Sequence, residues 1–150
     1  MIDRYLEGTA LRLRQQSDET ETVFKLSQKI PQSATGVRRD LVTTIYLTEM
    51  EFCRFTKLPS KLLQKTRYSV PPFGIDVFEG PLAGLILAEA EFDSEADAAA
   101  LTIPPFLGRE LSDDSRFSGA RLISATRLEL EQWLAEYGVE LPAPTAPTAG

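Results

Sequence analysis

The chain has 150 residues, 43% of them hydrophobic and 25% charged, which is the composition of an ordinary globular domain. Its net charge of −6 disfavours a nucleic-acid partner, and its lack of histidine excludes zinc sites with His ligands as well as Ser-His and Cys-His triads. A single cysteine excludes an internal disulfide and fits a reducing, cytoplasmic location. No apolar run is long enough to span a bilayer, so we expect no membrane partner either.

The first half of the chain predicts one strand after another, because short alternating segments are joined by turn signals. These strands are predicted over Ile2–Leu6 and over residues 10–15, 21–30 and 41–47. Thr48 and Glu51 form a capping box that opens a helix, and this helix ends before Pro59.

The second half returns to strands before it ends in a helix. Strands are predicted over residues 62–70, 74–78, 84–92 and 109–111. Ser94 begins a short helix, and a capping box at Thr126 begins an amphipathic one. Residues 1–140 are expected to form one domain, whereas residues 141–150, made of Pro, Ala, Thr, Leu and Gly, are expected to be a disordered tail.

This succession of strands with hairpin-length connections indicates how the elements are arranged. It favours a mainly antiparallel sheet, curved or closed into a barrel, with the helices at its periphery. The predicted fold class is therefore α+β.

Charges of one sign recur on the same face of several predicted strands, since alternate residues of a strand point the same way. The basic pairs are Arg12 with Arg14, Lys25 with Lys29 and Lys65 with Arg67, and the acidic positions are Asp76, Glu89 and Glu91. For any single pair a solvated sheet face is the simpler explanation. The segregation of the signs instead favours a surface on which cations bind phosphate oxygens and carboxylates bind Mg²⁺ or Mn²⁺. We expect one concave surface to bring together seven side chains, namely Arg12, Arg14, Lys29, Lys65, Arg67, Glu89 and Glu91.

Six groups of motifs follow one another between residues 2 and 122. They are YL at residues 5–6 with LRLR at 11–14, KLSQK at 25–29, KTRY at 65–68, DVF at 76–78, AGL through AEAEF at 83–92, and LGREL at 107–111 with DSRF at 114–117. In this order and spacing the chain resembles the CYTH domain, the triphosphate tunnel metalloenzyme superfamily. It departs from that family in two places: the first Glu-x-Glu-x-Lys strand is missing, and Thr43 and Thr44 stand near the place of an Arg-x-Glu.

The resemblance implies a closed antiparallel barrel with a charged tunnel, which hydrolyses inorganic or organic triphosphates with Mg²⁺ or Mn²⁺. It implies phosphate-binding roles for Arg12, Arg14, Lys29, Lys65 and Arg67, to which Lys25 is added because it shares a face with Lys29. It further implies Glu89, Glu91 and Glu110 as metal ligands and Asp76 as an acidic residue of the tunnel. No separate nucleophilic side chain is implied.

Three functions stay open at this point. The favoured one is a divalent-metal-dependent triphosphatase. The missing Glu-x-Glu-x-Lys favours a module that binds triphosphate, polyphosphate or a nucleotide with little or no turnover, and an adenylate cyclase of the same superfamily is the third. The missing strand indicates either a chain truncated at its start or a divergent member with weakened metal binding. It would leave an unpaired edge at Ile2–Leu6, which could pair with a second copy in a homodimer.

Overall fold

The computed structural model describes residues 1–32, 39–92 and 94–142. In chain order, the elements are β1 (Ile2–Leu6), β2 (Leu11–Ser17), β3 (Thr22–Gln32), β4 (Arg39–Leu47), α1 (Glu49–Phe55), β5 (Ser60–Val70), β6 (Phe73–Phe78), β7 (Ile86–Ala90), α2 (Glu95–Ala99), α3 (Gly119–Leu122) and α4 (Arg127–Ala135). Short 3₁₀ helices lie at Gly80–Leu82 and Ser115–Phe117. The predicted tail lies, from residue 143 onward, outside the described residues.

The contacts divide the chain into two compact units. The first unit comprises Met1–Gln64 and Asp113–Ser124, and the second comprises Lys65–Ser112 and Ala125–Gly150. Strand β5 therefore contributes its first half to the first unit and its second half to the second.

The first unit is built on an antiparallel sheet in which β1 is an inner strand. Neighbouring strands follow the order β4, β3, β2, β1 and the first half of β5. Because β5 returns to pair with β1, from Ile2 opposite Gln64 to Leu6 opposite Ser60, β1 has a partner on both sides. The expectation of an unpaired edge at Ile2–Leu6 is therefore wrong.

The core of the first unit is apolar and is completed by short helices. Its buried side chains are Leu6, Leu13, Phe52, Leu63, Phe117 and Leu122. Helix α1 begins at the predicted capping box, in which Thr48 and Glu51 bind each other's backbone N–H groups. The ring of Phe52 packs against that of Phe24 on β3, with the two centroids 4.5 Å apart. This contact anchors α1 on the sheet.

In the second unit, the second half of β5 pairs with β6, and β6 pairs with β7. Helix α4 begins at the capping box formed by Thr126 and Glu129, as predicted, and it buries Leu130, Trp133 and Leu134. Arg127 fixes the start of this helix, because its Nη1 donates to the carbonyl oxygen of Ala83 at 2.7 Å.

All six strand pairings among the described residues are antiparallel. Together with the four α-helices, they confirm the α+β class and the mainly antiparallel sheet. The strand predicted at residues 109–111 is wrong, since this segment carries no strand. It contains glutamate and follows Gly108, and both residue types are depleted in strands. Three residues would also gain few ladder hydrogen bonds. In the described part of the chain, no helix has the length and apolarity to cross a membrane.

Candidate functional site

The register of the first unit brings several predicted site residues into two adjacent rows. Asp3 on β1 lies opposite Arg14 on β2, and Lys25 on β3 continues that row. In the next row, Tyr5 on β1 lies opposite Arg12 on β2. Residues that face each other across antiparallel strands share a face of the sheet. Asp3, Tyr5, Arg12, Arg14 and Lys25 therefore form one group, which we call the first cluster.

A buried carboxylate holds the first cluster together. Arg14 donates from Nε to Oδ1 of Asp3 at 2.6 Å and from Nη2 to Oδ2 at 2.7 Å. Asp3 is only 1% exposed, and Nη1 of Arg12 lies 4.0 Å from its Oδ2. One carboxylate thus faces two guanidinium groups, and its bidentate pairing with Arg14 fixes the orientation of that side chain. The cluster keeps an excess of positive charge.

The guanidinium group of Arg12 contains a buried hydrogen-bond donor. Its Nε is buried and has no hydrogen-bond partner within the part of the chain that the structure describes. A buried N–H without a partner costs free energy, and the cost is larger on a charged group. Guanidinium groups pair readily with phosphate oxygens. The Nε–H group of Arg12 can therefore donate to an anion.

The two lysines of β3 differ in their surroundings. Lys25 lies opposite Tyr46 of β4 as well as Arg14, and its Nζ is 5.3 Å from the centroid of the Tyr46 ring, in a cation–π contact. Lys29 lies on the same face of β3, four residues further along, where its side chain is exposed. The structure therefore brings Lys25 directly beside the arginines and places Lys29 at the margin of the group.

A second group of charges lies in the second unit. Arg67 on β5 lies directly opposite Asp76 on β6. Asp76 is 0% exposed and accepts hydrogen bonds from Lys65 Nζ and from Arg67 Nε and Nη2, the latter two at 2.6 Å. Arg67 Nη2 also donates to Oε2 of Glu89 on β7 at 2.5 Å. We call Lys65, Arg67, Asp76 and Glu89 the second cluster.

The ionisation of the second cluster follows from these contacts. Burial raises the pKa of the Asp76 carboxyl, but the hydrogen bonds and charges of Arg67 and Lys65 outweigh it, so the pKa of Asp76 lies below its ordinary value. The hydrogen bond to Asp76 raises the pKa of Arg67 above its ordinary value, against the opposing effect of burial. Both groups therefore stay charged at neutral pH.

The three predicted metal ligands have different surroundings. Glu89 is 51% exposed and binds Arg67, Glu91 is exposed just beyond the end of β7, and Glu110 is exposed in a segment without helix or strand. Among the described residues, no group of three or more His, Cys, Asp or Glu side chains could hold a metal ion. The chain thus forms no carboxylate cage there, but one or two carboxylates with substrate phosphates commonly suffice for Mg²⁺. The metal-binding role of these residues stays a prediction.

Asp3 and Tyr5 belong to the first cluster and Gly74 adjoins the second, although the sequence did not indicate them. Asp3 and Tyr5 share a face of β1, but their basic partners become evident only once the register with β2 is known. A Cβ at Gly74 would lie 3.3 Å from Cδ and Nε of Arg67, so glycine leaves the room that this arginine occupies. The sequence showed only that Asp3 and Tyr5, two residues apart on a predicted strand, lie on the same face.

In both clusters of this α+β protein, a buried carboxylate orients basic side chains on antiparallel strands. The chain is 34% identical over 122 residues to a protein named inorganic triphosphatase from Nitrosomonas europaea, a match that covers 77% of this chain and 76% of that protein. The chain therefore belongs to the family of this inorganic triphosphatase. No family model matches the chain. No solved structure matches it either.

Proposed function

We propose that this protein hydrolyses triphosphates, with inorganic triphosphate as the first substrate to test, and that it is a member of the CYTH or triphosphate tunnel metalloenzyme superfamily. Its similarity to an inorganic triphosphatase supports this assignment. The observation that carries it is the buried Nε of Arg12, which has no hydrogen-bond partner among the described residues. A phosphate oxygen would supply the missing acceptor and compensate the excess positive charge of the first cluster.

The buried carboxylates give these cations a defined task in catalysis. Phosphoryl transfer depends almost entirely on positioning and on the stabilisation of charge spread over phosphate oxygens. Asp3 fixes Arg14, and Asp76 fixes Lys65 and Arg67, before any substrate arrives. Oriented donors of this kind need little reorganisation during the reaction. We expect each cluster to bind phosphate oxygens in this way.

Metal binding is a further part of the proposal. Glu89 and Glu91 would hold Mg²⁺ or Mn²⁺, which when bound neutralises charge on the phosphate chain. In the metal-free protein, the Glu89 carboxylate of this pair binds Nη2 of Arg67 and offsets its positive charge. A phosphate group that approaches Arg67 competes with this carboxylate.

We expect Glu89→Gln to strengthen metal-free binding of tripolyphosphate about threefold, because the half-exposed ion pair with Arg67 is worth little and its loss removes a competing negative charge beside Nη2, which still donates to Asp76. The same substitution should lower turnover in Mg²⁺. Isothermal titration in EDTA and phosphate release in Mg²⁺ measure the two effects. Glu79→Gln is the control, since Glu79 is an exposed residue of the same unit that binds Thr66. Weaker metal-free binding by Glu89→Gln would contradict the competition.

The lack of a three-carboxylate group among the described residues favours a second candidate, a module that binds triphosphate with little or no turnover. Phosphate release from tripolyphosphate, ATP and thiamine triphosphate, each with and without Mg²⁺, separates the two functions. We expect Mg²⁺-dependent release that is fastest from tripolyphosphate. Tight binding of tripolyphosphate without release under any of these conditions would favour the binding module.

A further inference from the structure

The hydroxyl of Tyr5 occupies the space beside Gly119, the first residue of α3. A Cβ at position 119 would lie 2.1 Å from the Tyr5 oxygen and 3.2 Å from Cζ of its ring. The Cδ2 atom of Leu63 would be the next contact, at 3.7 Å. Any side chain at position 119 must therefore displace the phenol. The steric overlap is with the hydroxyl far more than with the ring.

The same phenol is the neighbour of Arg12. Tyr5 lies directly opposite Arg12 in the register, so the two side chains share a face of the sheet, and the guanidinium charge acts on the phenol. Burial raises the pKa of the Tyr5 phenol, against the opposing charge of Arg12, so the phenol stays neutral well beyond neutral pH. A neutral phenol oxygen accepts from a guanidinium group without cancelling its charge. A carboxylate in this place would neutralise Arg12 instead.

Arg12 therefore has two polar neighbours, one negatively charged and one neutral. Asp3 supplies the negative charge, but its carboxylate is bound in bidentate fashion by Arg14 and lies 4.0 Å from Arg12 Nη1. Tyr5 supplies a neutral hydroxyl on a rigid ring, directly opposite Arg12. The phenol is therefore the uncharged acceptor that is placed to orient this guanidinium group.

We propose that Tyr5 is a positioning residue that fixes the guanidinium group of Arg12 for binding phosphate, and that Gly119 is required because it leaves space for the Tyr5 hydroxyl. The inference rests on the proposed function, in which Arg12 binds a phosphate group. It adds a residue of β1 and a residue of α3, both within the first unit, to the determinants of that site.

The experiment compares tripolyphosphate binding by the parent, Tyr5→Phe, Gly119→Ala, Arg12→Gln and the double variants, by isothermal titration in EDTA. Tyr5→Phe keeps the aromatic ring and removes the hydroxyl alone. We expect it to weaken binding about tenfold, since the hydroxyl that can accept a hydrogen bond from the charged Arg12 is lost. The same loss should be absent when Arg12→Gln is already present, because Tyr5 acts through Arg12.

Gly119→Ala tests the role of the Tyr5 hydroxyl in a second, independent way. It should weaken binding as much as Tyr5→Phe does, and the Tyr5→Phe/Gly119→Ala variant should bind no worse than Tyr5→Phe, because the added methyl group conflicts mainly with the hydroxyl. Thermal melts of each variant show whether it folds. If Gly119→Ala does not fold while the double variant does, the assignment of its space to the hydroxyl is still supported.

The outcomes separate this inference from the function on which it rests. If Arg12→Gln weakens binding and Tyr5→Phe does not, the positioning role of Tyr5 is wrong and the phosphate role of Arg12 stands. An equal loss from Tyr5→Phe with and without Arg12 would also overturn the inference. If the parent binds no tripolyphosphate, or if Arg12→Gln binds it as tightly as the parent, the proposed phosphate site itself is wrong.

Discussion

Arg12→Gln should lower tripolyphosphate turnover by about 100-fold, the effect typical of removing one oriented donor to developing negative charge. Glutamine preserves much of the length and polarity of the side chain but removes the positive charge and the Nε donor that has no partner among the described residues. Because the interaction strengthens as charge spreads over the phosphate oxygens, we expect kcat to fall more than KM rises. Steady-state phosphate release measures both constants.

Arg4→Gln is the matched control for this substitution. Arg4 lies on β1 between Asp3 and Tyr5, so its side chain points to the opposite face of the same strand. Its removal changes the net charge by the same amount as Arg12→Gln and should leave turnover unchanged. An equal loss from both substitutions would mean that general positive charge attracts the substrate and that Arg12 has no specific role.

Asp76→Asn should destabilise the protein by about 3–5 kcal/mol, the usual cost of removing one partner from a buried ion pair. The substitution leaves Lys65 buried without its counter-charge and removes the carboxylate that binds two nitrogens of Arg67. Urea denaturation at pH 7 measures the free energy of unfolding. Asp113→Asn, at an exposed aspartate, is the control for the loss of one negative charge.

The stability contributed by Asp76 should also depend on pH. Because its folded pKa is depressed, this contribution is fully present above its unfolded pKa of about 3.9 and is lost as the pH falls through the lower folded value. Asp76→Asn should therefore flatten the stability profile of the protein below about pH 4. If stability falls as steeply below pH 4 in Asp76→Asn as in the parent, Asp76 is not held ionised by Lys65 and Arg67.

Replacing Lys65 by Met in the Asp76→Asn protein should recover part of the lost stability, since it removes the unpaired buried charge.

The sequence predicted which segments form strands far better than it predicted what those strands place together. Alternation and turn signals are local, so Ile2–Leu6 was predicted with the bounds it has, and both capping boxes begin helices where expected. Pairing is a tertiary property, and the return of β5 to β1 could not be deduced from either segment. The prediction of an unpaired edge at β1 was wrong because this pairing was not known.

The same limit applies to the candidate site. Alternation correctly placed Arg12 with Arg14 and Lys65 with Arg67 on shared faces, because that depends on one strand at a time. The roles of Asp3 and Asp76 depend on which residue lies opposite each carboxylate, and a shift of one residue in register would reverse the face. Glu110 was the least accessible to such reasoning, since it lies in a segment without any strand.

Cleavage of triphosphate by this protein can be observed by ³¹P nuclear magnetic resonance of tripolyphosphate incubated with the protein and Mg²⁺. The spectrum resolves tripolyphosphate, pyrophosphate and orthophosphate in one sample, and an EDTA-treated sample and the Arg12→Gln protein serve as controls. We predict that pyrophosphate and orthophosphate appear in equal molar amounts at the expense of tripolyphosphate, rapidly with the parent in Mg²⁺ and slowly or not at all in both controls. A tripolyphosphate signal that broadens on binding but keeps its full intensity would contradict hydrolysis and identify the protein as a triphosphate-binding module.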